Sequence, residues 1–405
     1  MRCVVITASY GGFFPRYYHY LSQAIRNKGH EAILLLPNSK MNKAANGILV
    51  HFWGSRLNWF IHFYLYRLTG IQDVFSIFDT ILMLLKLRML KPDILHFNLM
   101  NVWCINFPIL IWYVNKKKIP VVWTMHDCRA FTGRCAYFDE LKCNKWIDGC
   151  NSCPDKFLYN PPCLHNENVE WKIRRFLFRR FENLTIVTPS EWLSNNVKKS
   201  FMNKYPVVVI NNGIDTEFYS KEIKWSNNLK NELKINGKIL ILGISASWEY
   251  RKGLDYFIYL SKNLPSDKYH VVLVGRVSDP ENEDYSDITI LPPVITVEEI
   301  ARIYQSADIF VNPTLADNFP TTNIEALANG TPVVTFNTGG SGEAVDATSG
   351  TVVEKGRKQD LIKAIIDVSN NPKINPETCR KRAQKFSIKR YYEYVTLFES
   401  IINHK

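Results

Sequence analysis

Asp317 and Glu325 are two acids separated by seven residues, and between them the chain reads as the start of a helix. Thr321 or Thr322 is placed to cap it. Ile324, Leu327 and Ala328 form its apolar face, Asn329-Gly330 ends it, and Pro332 bars continuation. The first N–H groups of a helix lack partners and carry the positive end of its dipole, so those around Thr321 to Asn323 favour a phosphate. The two carboxylates accept hydrogen bonds from hydroxyls. A phosphorylated sugar needs both kinds of partner. The same residues also describe an ordinary helix cap with a solvated acid in its first turn. Upstream, Arg251-Lys252-Gly253 follows an apolar run, Lys238 to Ile244. Two cations beside a glycine, past the carboxyl end of a strand, suit a diphosphate. Arg251 alone would serve equally as a solvated cation at a helix start. His126 follows another strand-like run, Ile119 to Met125, and is the candidate in the first half for a hydrogen bond to a bound sugar. A purely structural histidine is the alternative.

Strands, loops and helices must alternate to position these groups. Cys3 to Thr7, a loop with Gly11-Gly12, a helix over Arg16 to Asn27 and a strand over Glu31 to Leu36 open the chain. The glycines do not form the G-x-G-x-x-G pattern, so a dinucleotide site is not indicated. Further on come helices over Asp73 to Leu90 and, despite Pro108, over Cys104 to Lys117. A strand from Tyr269 to Val274 leads into a loop at Gly275-Arg276. This alternation is the mark of an α/β protein with parallel sheets. It divides into residues 1–210, a hinge over 211–236, a second domain over 237–385, and a terminal helix beyond, Phe386 to Ile402.

The 405 residues suffice for two cores. The net charge of +12 is uneven: the first 210 residues carry 27 Lys and Arg against 13 Asp and Glu. No nucleic-acid-binding pattern accompanies it. The cations are mixed with aromatics instead, as in Trp59 to Arg67 and in Val169 to Arg180, where Lys172, Arg174, Arg175, Arg179 and Arg180 punctuate apolar residues. Such helices lie on an anionic membrane surface or pack on the domain with a basic flank. The start at Met1-Arg2 leads straight into a strand and no apolar run reaches spanning length, so the expectation is a cytoplasmic protein, peripheral to the membrane at most.

Six of the nine cysteines fall between Cys128 and Cys163. Cys150 and Cys153 form a C-x2-C pair, and Cys135 and Cys143 could complete a tetrahedral, structural zinc site. Free thiols in an aromatic-rich loop are the alternative.

Asp317, seven residues and Glu325 resemble the E-x7-E element of the retaining glycosyltransferases of family 4. Lys252-Gly253 matches the lysine–glycine pair of that family, and Thr124-Met125-His126-Asp127 its T-x-H-D context. The resemblance extends over nearly the whole chain. It implies the GT-B fold, with two Rossmann-like domains facing a cleft and the last helix crossing back to the first domain. It implies a nucleoside-diphosphate sugar as donor and no catalytic metal. The first acid would contact donor hydroxyls and Glu325 the ribose. The stretch between them, Phe319, Thr321 and Thr322 included, would offer backbone amides to sugar and diphosphate. Gly11-Gly12 would approach the donor phosphate and the acceptor, and Gly275 the base. The chain departs from the family in three respects. Asp317 stands for the first Glu. Asn318 and Pro320 stand where glycines are usual. Ser247 and Trp248 occupy the neighbourhood of an expected arginine. The acceptor implied is a lipid-linked glycan of capsule, exopolysaccharide or lipopolysaccharide. A GT-B transferase with a soluble acceptor and a non-catalytic nucleotide- or carbohydrate-binding protein are the other readings.

Overall fold

The computed structural model describes residues 1–7, 12–37, 48–100, 103–155, 157, 161–221, 229–277, 285–294 and 296–403. The chain forms two compact units, Met1–Asn211 with Lys389–Lys405, and Asn212–Ile388.

The first unit is built on β1 (Arg2–Thr7), β2 (Glu31–Pro37), β3 (Leu49–Trp53), β4 (Ile94–Asn98), β5 (Val121–Thr124), β6 (Leu184–Thr188) and β7 (Val207–Val209). All pair in parallel, in the order β3-β2-β1-β4-β5-β6-β7. Strands covered on both faces read as continuous apolar runs rather than alternating ones, as Val4-Val5-Ile6 does. Among the described residues, six α-helices connect them: α1 (Phe14–Asn27), α2 (Arg56–Thr69), α3 (Ile77–Leu90), α4 (Phe107–Lys116), α5 (Glu167–Phe178) and α6 (Glu191–Lys199).

Local chemistry sets the ends. Ser55 accepts from Asn58 N to start α2, and Gly70, left-handed, closes it. Asn106 caps α4 through Ile109 N, which leaves Pro108 in the first turn, where its missing N–H costs nothing. The helix expected from Cys104 therefore begins at Phe107. Likewise α3 begins at Ile77 and not at Asp73, because Ser76 adopts a left-handed conformation with φ of 60°.

The second unit contains α7 (Thr216–Ser220), α8 (Leu229–Glu232), α9 (Leu254–Asn263), α10 (Val297–Ser306), α11 (Thr321–Ala328), α12 (Lys358–Asn370) and α13 (Pro376–Ala383). They pack around β8 (Ile239–Trp248), β9 (Tyr269–Val277), β10 (Ile288–Leu291), β11 (Ile309–Asn312), β12 (Val333–Asn337) and β13 (Gly350–Glu354). These too are parallel, in the order β10-β9-β8-β11-β12-β13. The order reverses between β8 and β11, so the loops after those strands diverge and leave a crevice at their carboxyl ends. Arg251-Lys252 follows β8 and Asp317 follows β11. Within the stretch expected as a hinge, Ile214, Tyr219, Leu229 and Ile235 are buried in the core of this unit.

The last helix, α14 (Arg390–Asn403), begins after Phe386 has been buried in the second unit. It belongs to the first unit and packs on α1. Tyr391 lies 5.3 Å from the Tyr17 ring, and Tyr394 lies 5.4 Å from that of His96. Thr124 Oγ1 donates to Tyr394 Oη at 3.3 Å.

Candidate functional site

The turn Tyr250–Lys252 and the loop Thr314–Pro320 are tied together by their backbones. Leu315 N donates to Arg251 O at 2.8 Å, and the Thr314 hydroxyl donates to the same carbonyl at 3.2 Å. The Arg251 guanidinium donates to Ala316 O at 3.0 Å. It is not a solvated cation; it braces the loop that carries Asp317. Lys252 Nζ lies 2.8 Å from Asp317 Oδ2, with both side chains partly exposed. Gly339, at φ of 55°, backs this loop: a Cβ there would stand 1.7 Å from Asp317 O. Only glycine permits that approach.

Helix α11 begins directly behind the loop. Pro320 holds its N-cap position and no side chain caps it, so Thr321 and Thr322 lie in the first turn and do not cap it as expected. Glu325, one turn further on, is buried, and its Oε2 accepts from the Tyr304 hydroxyl at 3.4 Å. A cavity of about 290 Å³ opens beside these groups, lined among others by Ser245, Ser247, Glu249, Lys252, Asn312 and Thr322. A larger one, about 930 Å³, touches Asp308, Thr331 and Asn375. It lies at the amino ends of β11 and β12, the wrong end of a parallel sheet for its usual ligands.

A buried polar chain fixes α11 against the sheet. Asn312 Nδ2 donates to Asn323 Oδ1 at 2.7 Å, and Asn323 Nδ2 donates to Ser341 O at 2.9 Å. The Ser341 and Thr335 hydroxyls lie 2.7 Å apart, and Thr335 Oγ1 donates to Asn312 O at 2.9 Å. Asn323, Ser341 and Thr335 were not among the sequence candidates. The asparagine at the strand end, eleven positions before one in the first helical turn, was the available signal.

Two further residues expected at the donor are set by the core and the sheet. The Phe319 side chain is in the core, 5.6 Å from the Phe386 ring, which leaves only its backbone for a ligand. Gly275 lies inside β9, not in a loop after it, because β8 and β9 continue together through an irregularity between Ile244 and Ser247. Its φ is 132°, and a Cβ would stand 1.8 Å from Ser245 O. The glycine serves that close approach.

In the first unit His126 follows β5, with its ring edge-on to Phe14 at 5.0 Å and to Tyr17 at 5.6 Å. Burial pushes its pKa down to about 3, so the imidazole is neutral at physiological pH. Asp127 accepts from Arg129 N at 2.9 Å and holds the following turn. Gly12 is exposed, with φ of 60°; Gly11 lies outside the described residues.

The zinc site expected at Cys135, Cys143, Cys150 and Cys153 is not formed. Among the described residues no three His, Cys, Asp or Glu side chains are placed to hold a metal ion. Backbone groups meet two of the sulfurs: Gly133 N donates to Cys150 Sγ at 3.1 Å, and Cys153 Sγ lies 2.9 Å from Asp155 O. Cys135 hydrogen-bonds Cys153. The basic helix read over 169–180 is also corrected at one position. Arg174 of α5 is fully buried, 2.7 Å from Asp73 Oδ2 and 3.0 Å from Glu170 Oε1, and donates to the Arg129 and Thr132 carbonyls. It anchors the loop after His126.

Residues 15–218 match the family model described as Glycosyltransferase Family 4, and residues 226–386 match Glycosyl transferases group 1. The chain belongs to glycosyltransferase family 4. It is similar to the putative colanic acid biosynthesis glycosyl transferase WcaC of Escherichia coli, at 24% identity over 74% of this chain and 72% of that one. It is similar to the capsular polysaccharide biosynthesis glycosyltransferase CapM of Staphylococcus aureus, at 28% identity over 50% of this chain and 57% of that one. Among solved structures it resembles Anabaena HepE in complex with UDP, with a TM-score of 0.68 at 13% identity, covering 99% of this chain and 100% of that one. The family 4 chain thus has the GT-B fold, is a glycosyltransferase, and is related to enzymes of polysaccharide biosynthesis. No helix among its described residues is long and apolar enough to cross a membrane.

Proposed function

We propose that the chain transfers a sugar from a nucleoside-diphosphate sugar to a growing, lipid-linked glycan at a membrane surface, with retention at the anomeric carbon. The observation that carries the donor reading is the Lys252–Asp317 pair beside the uncapped start of α11. A partly exposed pair of this kind is worth only about 0–1 kcal/mol. A diphosphate brings more charge to Lys252 and adds the α11 N–H groups, so it displaces the carboxylate. Asp317 is then released to accept hydroxyls of the sugar, and Glu325 accepts those of the ribose.

The bond from the anomeric carbon to the diphosphate oxygen breaks, and one to the acceptor oxygen forms. The acceptor's hydroxyl proton passes to the departing diphosphate. The leaving diphosphate gains negative charge, which Lys252 and the α11 N-terminus stabilise without reorganising. Arg251 acts through the loop it braces. His126, neutral, serves as a hydrogen-bond partner and not as a base. Relatives named for colanic acid and capsular polysaccharide biosynthesis support the glycan acceptor.

The test is transfer of labelled sugar to lipid extracts and to soluble glycans, with the product anomer read by NMR. Transfer into the lipid fraction with the donor's anomeric configuration is expected, and Glu325→Ala should abolish it. Inversion, or transfer to soluble glycans alone, would overturn the corresponding part of the proposal.

A further inference from the structure

A surface helix normally turns its apolar stripe to the core. Helices α2 and α3 do much of the reverse. The buried positions of α2 are His62 and Tyr66; those of α3 are Asp79, Thr80, Met83 and Leu87, of which only the last two are aliphatic. Polar bonds hold this inner side together. His62 reaches Ser76 Oγ at 2.6 Å, Ser55 N donates to Asp79 Oδ1 at 3.2 Å, and Asn106 N donates to Thr80 Oγ1 at 2.7 Å. The first two bonds set α2 beside the start of α3.

The outer side is apolar. Leu57, Phe60, Tyr64 and Leu68 succeed one another turn by turn along α2 and are 71%, 51%, 63% and 58% exposed. Phe78, Leu82, Leu85 and Met89 do the same along α3 at 76%, 48%, 51% and 67%. Scattered surface apolar residues need no explanation, but two adjacent stripes of them do. Helix α3 packs on α4 and α4 on α5, so the four helices form one continuous layer.

The charges of this layer are sorted by sign. Its only carboxylates, Asp79, Glu167 and Glu170, are all buried. The exposed charged side chains, among them Arg56, Arg88, Lys116, Lys172 and Arg175, are all cations. Exposed Trp112 of α4 carries Lys116 Nζ 4.7 Å from its ring centroid, a pairing of amphipathic ring and cation suited to a headgroup region. Two copies meeting through such a face would bring like charges together, which disfavours self-association.

We propose that the α2–α3 face docks on an anionic lipid bilayer. The two apolar stripes enter the boundary between headgroups and acyl chains, and the cations of α3, α4 and α5 lie on the phosphates. The proposal gives a surface to the lipid-linked acceptor reading and rests on it for its purpose. Its test reads binding and not transfer, so either can fail alone.

The full chain is sedimented with vesicles of phosphatidylcholine, alone or mixed with phosphatidylglycerol. Binding only to the mixed vesicles is expected, and salt should weaken it. Phe78→Ser with Leu82→Ser, both at exposed positions, should weaken it at least about tenfold, at unchanged melting temperature. Arg88→Gln and Lys116→Gln should each cost about fivefold, the equivalent of roughly 1 kcal/mol per charge at an anionic surface. Four results would overturn the proposal. These are no binding by the native chain, equal binding without phosphatidylglycerol, undiminished binding by the folded Phe78→Ser/Leu82→Ser variant, or a dimer in solution that this variant dissolves.

Discussion

Lys252 and Asp317 neutralise each other at 2.8 Å, and under the proposed function the donor's diphosphate and sugar take over these two partners. Removing the lysine removes charge stabilisation in the transition state, so Lys252→Ala should lower kcat by about 10²–10³-fold. Gly339→Ala tests the support of the same site. Its methyl group would collide with Asp317 O, so turnover should fall at least about tenfold while the far-ultraviolet circular dichroism is kept. Unchanged kinetics in either variant would contradict the site. Lys252, Asp317 and Glu325 could be singled out because the lysine–glycine pair and the two acids each form a local pattern, but the pairing of Lys252 with Asp317, 65 positions away, was not legible. Arg251 was legible as a cation but not in its direction, since the carbonyl it meets belongs to Ala316. The Asn312–Asn323–Ser341–Thr335 chain was not legible. Its members are common turn and helix residues, and only the folded β11–α11–β12 layer makes them partners.

Among elements, α5 shows most clearly what an alternating apolar and basic pattern hides. Five cations read alike in the sequence, yet Arg174 turns inward to Asp73, 101 positions away, while Arg175 stays in solvent. Burial raises the Glu170 carboxyl to about 8, and Asp73 beside it works in the same direction. Arg174 offsets them most, and Gln72 N, which donates to Glu170 Oε2 at 3.0 Å, adds to it. Arg174→Ala should therefore destabilise the first unit by about 3–5 kcal/mol in urea unfolding, because it leaves buried acids unpaired. Arg175→Ala should change it by less than about 0.5 kcal/mol. Most strand positions were read, since buried parallel strands are continuous apolar runs, but β13 was not. Their limits were not: β8 runs on to Trp248 through polar Ser245 and Ser247, which pairing with β9 holds in place.

Across the whole molecule, buried histidines tie stability to pH, and burial lowers His270 of the second unit in the same direction as those of the first. His62, His96 and His126, all in the first unit, are pushed down to about 4, 3 and 3 by burial. Their folded pKa values lie below the unfolded value of about 6.5. The unfolded chain therefore binds more protons between those limits, and stability, present in full above about pH 6.5, falls as pH falls towards 4. Each unit of depression corresponds to about 1.4 kcal/mol. Urea midpoints of the first unit should drop between about pH 7 and pH 4.5, and His96→Gln should flatten the drop. A flat native profile would contradict the burial. These histidines could be counted in the sequence, but the burial of His96 depends on α14 returning to α1 and β4, and that of His62 on the turn of Gln72 to Ser76 beside α2.

The most direct test of the central claim is calorimetric titration of the chain with UDP-, GDP- and ADP-sugars, repeated with Lys252→Ala and Glu325→Ala. The account predicts that one nucleotide class binds the native chain. Both variants, still folded, should lose at least about tenfold in affinity, since each removes a charged partner of the ligand. Undiminished donor binding by both variants would place the nucleotide sugar elsewhere and contradict the account.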